Sequence, residues 1–195
     1  MKIVKGLLLA FAIILVITSV VVYFLPNRFI ISNSVEINRP AEVVYSQVAD
    51  FNKWKDWGSW EDASCKMTVE GAAGTQGHKL SWDGKGVGQG AMTLALAEPH
   101  EAIVCSDTIE GLFGIVLKEY WRFEGDSGKT KVTWITTGGL KYPIGRLMGL
   151  GVEKMLGQPE RKGLQNLKKL CEAMPLPAPV AMADSSAAQG SVTAK

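Results

Sequence analysis

Residues 142–174, YPIGRLMGLGVEKMLGQPERKGLQNLKKLCEAM, decide the fold. Met148, Val152, Met155, Pro159, Gly163, Leu167, Leu170 and Met174 recur at steps of three and four and draw one apolar stripe. Lys154, Arg161, Lys162, Lys168 and Lys169 fall mostly off it. The spacing predicts one long amphipathic helix. Pro159 lacks an N–H, so a kink or break is expected near Gly157-Gln158, and Pro175 and Pro177 end the helix. A helix of this length needs a broad apolar surface, and the hundred residues before it read as strands.

Residues 28–37, RFIISNSVEI, alternate approximately as a first strand. Pro40 and Glu42 then suit the first turn of a short helix reaching Ala49. Residues 51–60, FNKWKDWGSW, predict a second short helix or turn with Trp54, Trp57 and Trp60 spaced by three. Six further strands are expected at 65–69, 78–82, 88–97, 102–108, 115–123 and 131–137, separated by Gly-rich turns. Spacing near ten residues with tight loops means antiparallel pairing, since parallel strands need long crossovers. Gly90, Met92, Leu94 and Leu96 share one strand face. Ile115, Leu117, Trp121 and Phe123 share another, interrupted by Glu119, and Val132, Trp134 and Thr136 a third.

The order β-αα-β6-α gives an α+β fold: a seven-stranded antiparallel sheet curled around the long C-terminal helix. A curled sheet does not close tightly on a helix, so an apolar gap between them is expected, and such a gap is a natural ligand site. Its expected lining is Trp54, Trp57, Met92, Leu94, Trp121, Trp134, Met148, Val152 and Met155. For each of these, plain core packing is the alternative, and the tryptophans also suit a plug closing one end of the core.

The flanks differ in kind. Residues 6–25, GLLLAFAIILVITSVVVYFL, carry no charge and at 1.5 Å per residue would span about 30 Å, a bilayer's hydrocarbon core. A cleaved signal peptide is the competing reading, but the run is longer than the usual apolar core and lacks a small-x-small cleavage site. Residues 1–26 therefore read as a transmembrane anchor, 27–174 as the folded domain and 175–195 as a disordered Pro/Ala/Ser-rich tail. Lys2 and Lys5 precede the span and Arg28 follows it, which favours a cytoplasmic N-terminus in the inner membrane and a periplasmic domain.

Charge and cysteine usage exclude some classes. Basic and acidic residues balance within 27–174, without the basic face that nucleic acid requires. Cys65, Cys105 and Cys171 are scattered and only His78 and His100 add imidazoles, so neither a metal nor a cofactor is expected. A Cys65–Cys105 disulfide stays open for a domain outside the cytoplasm. There is no GxSxG, P-loop, GxGxxG or Ser-His-Asp spacing. His78, Asp83, His100, Glu119 and Arg122 are the groups available for acid–base work, and Glu119 shares parity with Leu117 and Trp121.

The opening VEINRPAEVVYSQVADFNKWKDWGSW, the TKVTW strand and the YPIGRLMGLGVEKMLG…KGLQNLKKL helix resemble the SRPBCC superfamily of START-like helix-grip domains. They are most similar to its membrane-anchored polyketide cyclase/dehydrase-like branch over residues 28–172. That resemblance implies a small hydrophobic ligand, lipid-like or polycyclic, and supplies no universal catalytic motif. Three functions follow: apolar-ligand binding without chemistry, a cyclase or hydrolase using Glu119, and a protein-interaction module built on the tryptophans.

Overall fold

Alternation of apolar and polar side chains builds the sheet. In the computed structural model, which describes residues 2–59, 65–85, 88–110, 115–125 and 128–175, seven strands pair in one sheet. They are β1 (Arg28–Ile37), β2 (Lys66–Glu70), β3 (Lys79–Gly84), β4 (Gly88–Glu98), β5 (Ala102–Glu110), β6 (Ile115–Gly125) and β7 (Thr130–Gly139). All pairings are antiparallel in the order β1-β7-β6-β5-β4-β3-β2, so the first strand lies beside the last. Every expected strand is present, most extended or shifted by a residue or two.

One expected face is interrupted. The β4–β5 register shifts between Leu94 and Leu96, which leaves Ala95 as an extra residue. Such a bulge turns the chain over. Met92 and Leu94 stay buried, whereas Leu96 is exposed and Ala97 packs on the core in its place.

Two short elements close one end of the curl. Helix α2 (Ala41–Val48) follows Pro40, and a 3₁₀ turn at Phe51–Lys53 leads into α3 (Trp54–Trp57). Asp50 caps that turn by accepting from the Asn52 amide. The indole N–H groups of Trp54 and Trp57 donate to the carbonyls of Val48 and Gln47, which ties α3 to the end of α2. His78 fixes the same corner from β3: its Nε2 accepts from the Phe51 amide, and Nδ1 lies 3.0 Å from the Glu70 carbonyl. The histidine that looked available for acid–base work is a fully buried backbone bridge. Asp83 and Arg122 are exposed, and His100 sits in a turn at a positive φ of 66°.

The C-terminal helix is segmented where a single kinked helix was expected. It runs as α4 (Ile144–Gly149), a turn, a π-helical stretch Glu153–Gly157, and α5 (Gln158–Ala173). The widened turn ends where Gln158 donates to the Glu153 carbonyl, and Pro159 follows with no N–H to continue a regular ladder. Segmentation rotates the buried face. Glu160, Gly163, Leu164, Leu167 and Cys171 of α5 face the sheet, while Met155 is 50% exposed and Pro159 half-buried.

At the N-terminus, α1 (Lys2–Phe24) is the single helix among the described residues long and apolar enough to cross a membrane, with mean hydropathy 2.9 over its best window. From Ile3 onward its side chains are exposed except Val22, and Leu25 beyond its end is half-buried. Cys105 is a buried free thiol, so the disulfide left open with Cys65 does not form. Trp60 and the tail at 176–195 lie outside the described residues.

Candidate functional site

The register of β1, β5, β6 and β7 stacks three chemically distinct layers between the sheet and the C-terminal helix. Ile103, Trp121 and Trp134 share one rung, Cys105, Glu119 and Thr136 the next, and Asp107, Leu117 and Gly138 the one after.

The first layer is aromatic. Trp54 and Trp57 from α3 meet Trp121 and Trp134 from the sheet at centroid distances between 5.8 and 6.5 Å. All four are buried and belong to one core cluster with Met92 and Leu94. This layer packs as solid core and plugs the α3 end of the curl.

The second layer is acidic. Glu119 is buried, and its Oε2 accepts from Nε1 of Trp134 at 3.1 Å and of Trp121 at 3.4 Å. Asp107, one rung further along β5, joins it diagonally through a side-chain hydrogen bond, is 2% exposed, and has no hydrogen-bond partner at Oδ1 among the described residues. Glu160 reaches in from the start of α5, where Asn33 Nδ2 donates to its Oε2 at 2.9 Å. Arg161 Nη1 in turn donates to Asn33 Oδ1 at 3.2 Å and to Glu153. Thr136 Oγ1 lies close to the Glu160 carboxyl without completing a hydrogen bond.

Burial sets the protonation of this layer. Desolvation, then the neighbouring Asp107 charge and hydrogen bond, push the Glu119 carboxyl well above the usual range. Desolvation raises Asp107 to about 7. Desolvation also raises Glu160, against the hydrogen bond it accepts from Asn33. No cation offsets Asp107 or Glu119 among the described residues. Two adjacent carboxyls in a dry interior share a proton, so Glu119 stands as a carboxylic acid donating to Asp107 at neutral pH.

The third layer is an apolar cavity of about 20 Å³, enough for little more than one water. Phe29, Ile109, Leu117 and Leu140 line it from one side, and Met148, Val152, Met155 and Leu156 from the segmented helix. Gly138 makes room for it: a Cβ there would sit 2.6 Å from the Phe29 ring and 2.8 Å from Leu117 Cδ2. No acid among the described residues lines the cavity, but its wall residue Leu117 pairs with Asp107 and lies two residues from Glu119 along β6. Met155 in the cavity wall is half exposed.

Of the nine residues expected to line a cavity, the structure gathers Met148, Val152 and Met155 at the void and places Trp54, Trp57, Met92, Leu94, Trp121 and Trp134 in the packed layer beyond the acids. Asp107, Glu160 and Asn33 escaped the sequence reading. Asp107 carries a legible signal, an acid at the parity of Ile103, Cys105 and Ile109. Glu160 shares its helical face with Gly163, Leu164, Leu167 and Cys171, a pattern masked by assuming an unbroken stripe through Pro159.

Among solved structures, the chain is similar to the di-domain ARO/CYC BexL from the BE-7585A biosynthetic pathway, at 22% identity and TM-score 0.61, covering 76% of this chain and 52% of that one. It is similar to the di-domain ARO/CYC StfQ from the steffimycin biosynthetic pathway, at 14% identity and TM-score 0.59, covering 74% and 51%. A third likeness is to the hypothetical protein jhp0584 from Helicobacter pylori, at 11% identity and TM-score 0.59, covering 73% and 88%. At these identities the likeness shows the fold alone, and the chain spans about half the length of each di-domain protein. No curated protein matches it in sequence. Residues 28–172, the whole of the curled sheet and nearly all of its helix, match one family in sequence, and the chain belongs to that family, polyketide cyclase / dehydrase and lipid transport.

Proposed function

We propose that this chain is a membrane-tethered helix-grip domain that binds a small hydrophobic molecule between sheet and C-terminal helix, with the molecule's polar end on the Asp107–Glu119 pair. The observation that carries the reading is the adjacency of an apolar cavity to a buried carboxylic acid that holds its proton. An apolar body gains from leaving water, and a carbonyl or hydroxyl at its end finds a donor and an acceptor already desolvated. The cavity of about 20 Å³ holds no such body as it stands. Room comes from displacing the Met148–Leu156 wall, whose segment α4 has no buried residue and whose π-turn breaks the regular ladder. The anchor reading places α1 in the inner membrane with the domain on the periplasmic side.

Extraction of the full chain, purified in detergent, with organic solvent followed by mass spectrometry tests the proposal. The expected result is a bound apolar molecule that disappears when Val152→Trp fills the cavity while the fold is retained. An empty wild-type protein that also fails to take up an added apolar probe such as a fatty alcohol would overturn it.

A second reading, a cyclase- or dehydrase-type enzyme, is favoured by one specific observation: Glu119 is a buried, protonated acid of the kind general acid catalysis uses. Recovery of a converted molecule from wild type and an unconverted one from Glu119→Gln would establish this reading over simple binding.

A further inference from the structure

The membrane helix does not leave the domain as a free tether. Tyr142, just before α4, donates from its hydroxyl to the Ser19 carbonyl at 3.3 Å, and its ring meets that of Tyr23 with centroids 6.3 Å apart. Arg146 of α4 lies over the Tyr23 ring, 5.4 Å from its centroid, and donates to the Tyr23 carbonyl. Val22 is buried while its neighbours along α1 are exposed.

These contacts fix a depth. Ser19 lies five residues before Phe24, the end of α1, which at 1.5 Å per residue is about 7 Å inside the end of the helix. A side chain that reaches Ser19 is therefore below the headgroup surface if α1 spans the bilayer. The segment that carries it is apolar on its free side: Tyr142, Ile144, Leu147 and Met155 are each roughly half exposed and Leu150 is 72% exposed. Its charges are Lys141, Arg146 and Lys154, with Glu153 the one acid, already paired to Arg161. An apolar face, a basic margin and a fixed shallow depth describe a helix lying in a membrane interface, which buries about 5–10 Å into the headgroup–acyl boundary.

We infer that residues 142–155 form a membrane-docking surface, with the bilayer's headgroup–acyl boundary as its occupant. This rests on reading α1 as a bilayer span and extends it: the domain lies down on the membrane instead of swinging from it. The surface shares Met155 with the cavity wall, so that side of the wall faces lipid rather than water. A hydrophobic molecule exchanging past Met155 passes between bilayer and protein without crossing the aqueous phase.

Photo-crosslinking of the full chain in phosphatidylcholine/phosphatidylglycerol nanodiscs tests this. A benzoylphenylalanine is placed in separate variants at Leu15 within α1, at Leu147, at Leu150, and at exposed Met67 on β2, and adducts are read by mass spectrometry. Lipid adducts at Leu147 and Leu150 comparable with those at Leu15, and none at Met67, are expected. Adducts at Leu15 alone would overturn the docking surface and leave the anchor standing. Crosslinks from Leu147 or Leu150 to a second copy of the chain in place of lipid would overturn it in favour of a protein interface. Absence of lipid adducts at Leu15 would remove the anchor reading and the inference with it.

Discussion

Trp121 and Trp134 stack across β6 and β7 with ring centroids 4.1 Å apart and planes 25° from parallel, and both indole N–H groups end on the same oxygen of Glu119. The stack does two things. It fills the core, and it supplies two donors to one oxygen of the acid that also hydrogen-bonds Asp107. Glu119→Gln keeps an acceptor for both indoles and supplies an amide donor to Asp107. Urea unfolding of this variant is expected to fall within about 1 kcal/mol of wild type. Glu119→Ala strands two buried N–H groups at about 1–3 kcal/mol each and opens a cavity, so its loss should be several-fold larger. Equal losses for the two variants would mean the indole bonds contribute nothing.

Trp121 is also the residue on which the aromatic layer converges. Truncation to Ala removes its contacts with Trp54, Trp57 and Trp134 together, and about 3–5 kcal/mol of stability should go with them. Exposed Tyr120, one residue away on the convex face, should cost well under 1 kcal/mol on the same change. Chemical denaturation of the two variants in detergent reads the contrast.

Stability should fall as pH rises from 4 toward 7. Asp107 holds its proton up to about pH 7 in the fold and releases it near 3.8 when unfolded. Between those values the folded state binds more protons than the unfolded state, so the contribution is complete below pH 4 and is lost as pH climbs through 7. One such group sets a slope of up to about 1.4 kcal/mol per pH unit. The raised carboxyls of Glu119 and Glu160 act in the same direction. Asp107→Asn should flatten the curve, and thermal melts from pH 4 to 8 measure it; a wild type as stable at pH 7 as at pH 5 would show that the acid layer titrates normally.

Gly138 controls the cavity. A methyl there meets Phe29 and Leu117 below 3 Å, whereas Gly139 has nothing within 4 Å of its would-be Cβ. Gly138→Ala is expected to drive those two side chains into the void, abolish uptake of an apolar probe and cost about 1–3 kcal/mol as overpacking. Gly139→Ala should leave uptake unchanged. Fluorescent-probe titration of both variants, alongside denaturation, separates a closed cavity from a damaged fold.

Much of this architecture is legible in the sequence. Period-two alternation in 28–37 and in the six later segments is a local property, and short Gly-rich links leave antiparallel pairing as the available solution. The paired register of Trp121 with Trp134 follows once those strands are neighbours. Helix segmentation was half legible. Pro159 announces a break, but the π-turn before it and the rotation that brings Glu160 inward depend on how the segment meets β1, where Asn33 takes hold of both Glu160 and the Gly157 carbonyl. The extra residue at Ala95, which ejects Leu96, is likewise invisible in a pattern that alternates without interruption.

By itself the sequence determined the element order, the antiparallel sheet, the apolar N-terminal helix and the family, because each depends on periodicity, turn chemistry or composition within a short window. Tertiary structure alone decided that Asp107, Glu119 and Glu160, from two strands and a helix, share one dry layer, that the tryptophans are its packed floor, and that Met148, Val152 and Met155 wall the small void on its other side. A carboxyl's protonation is set by the solvent it loses and the charges it meets, and both are fixed only when distant segments close around it.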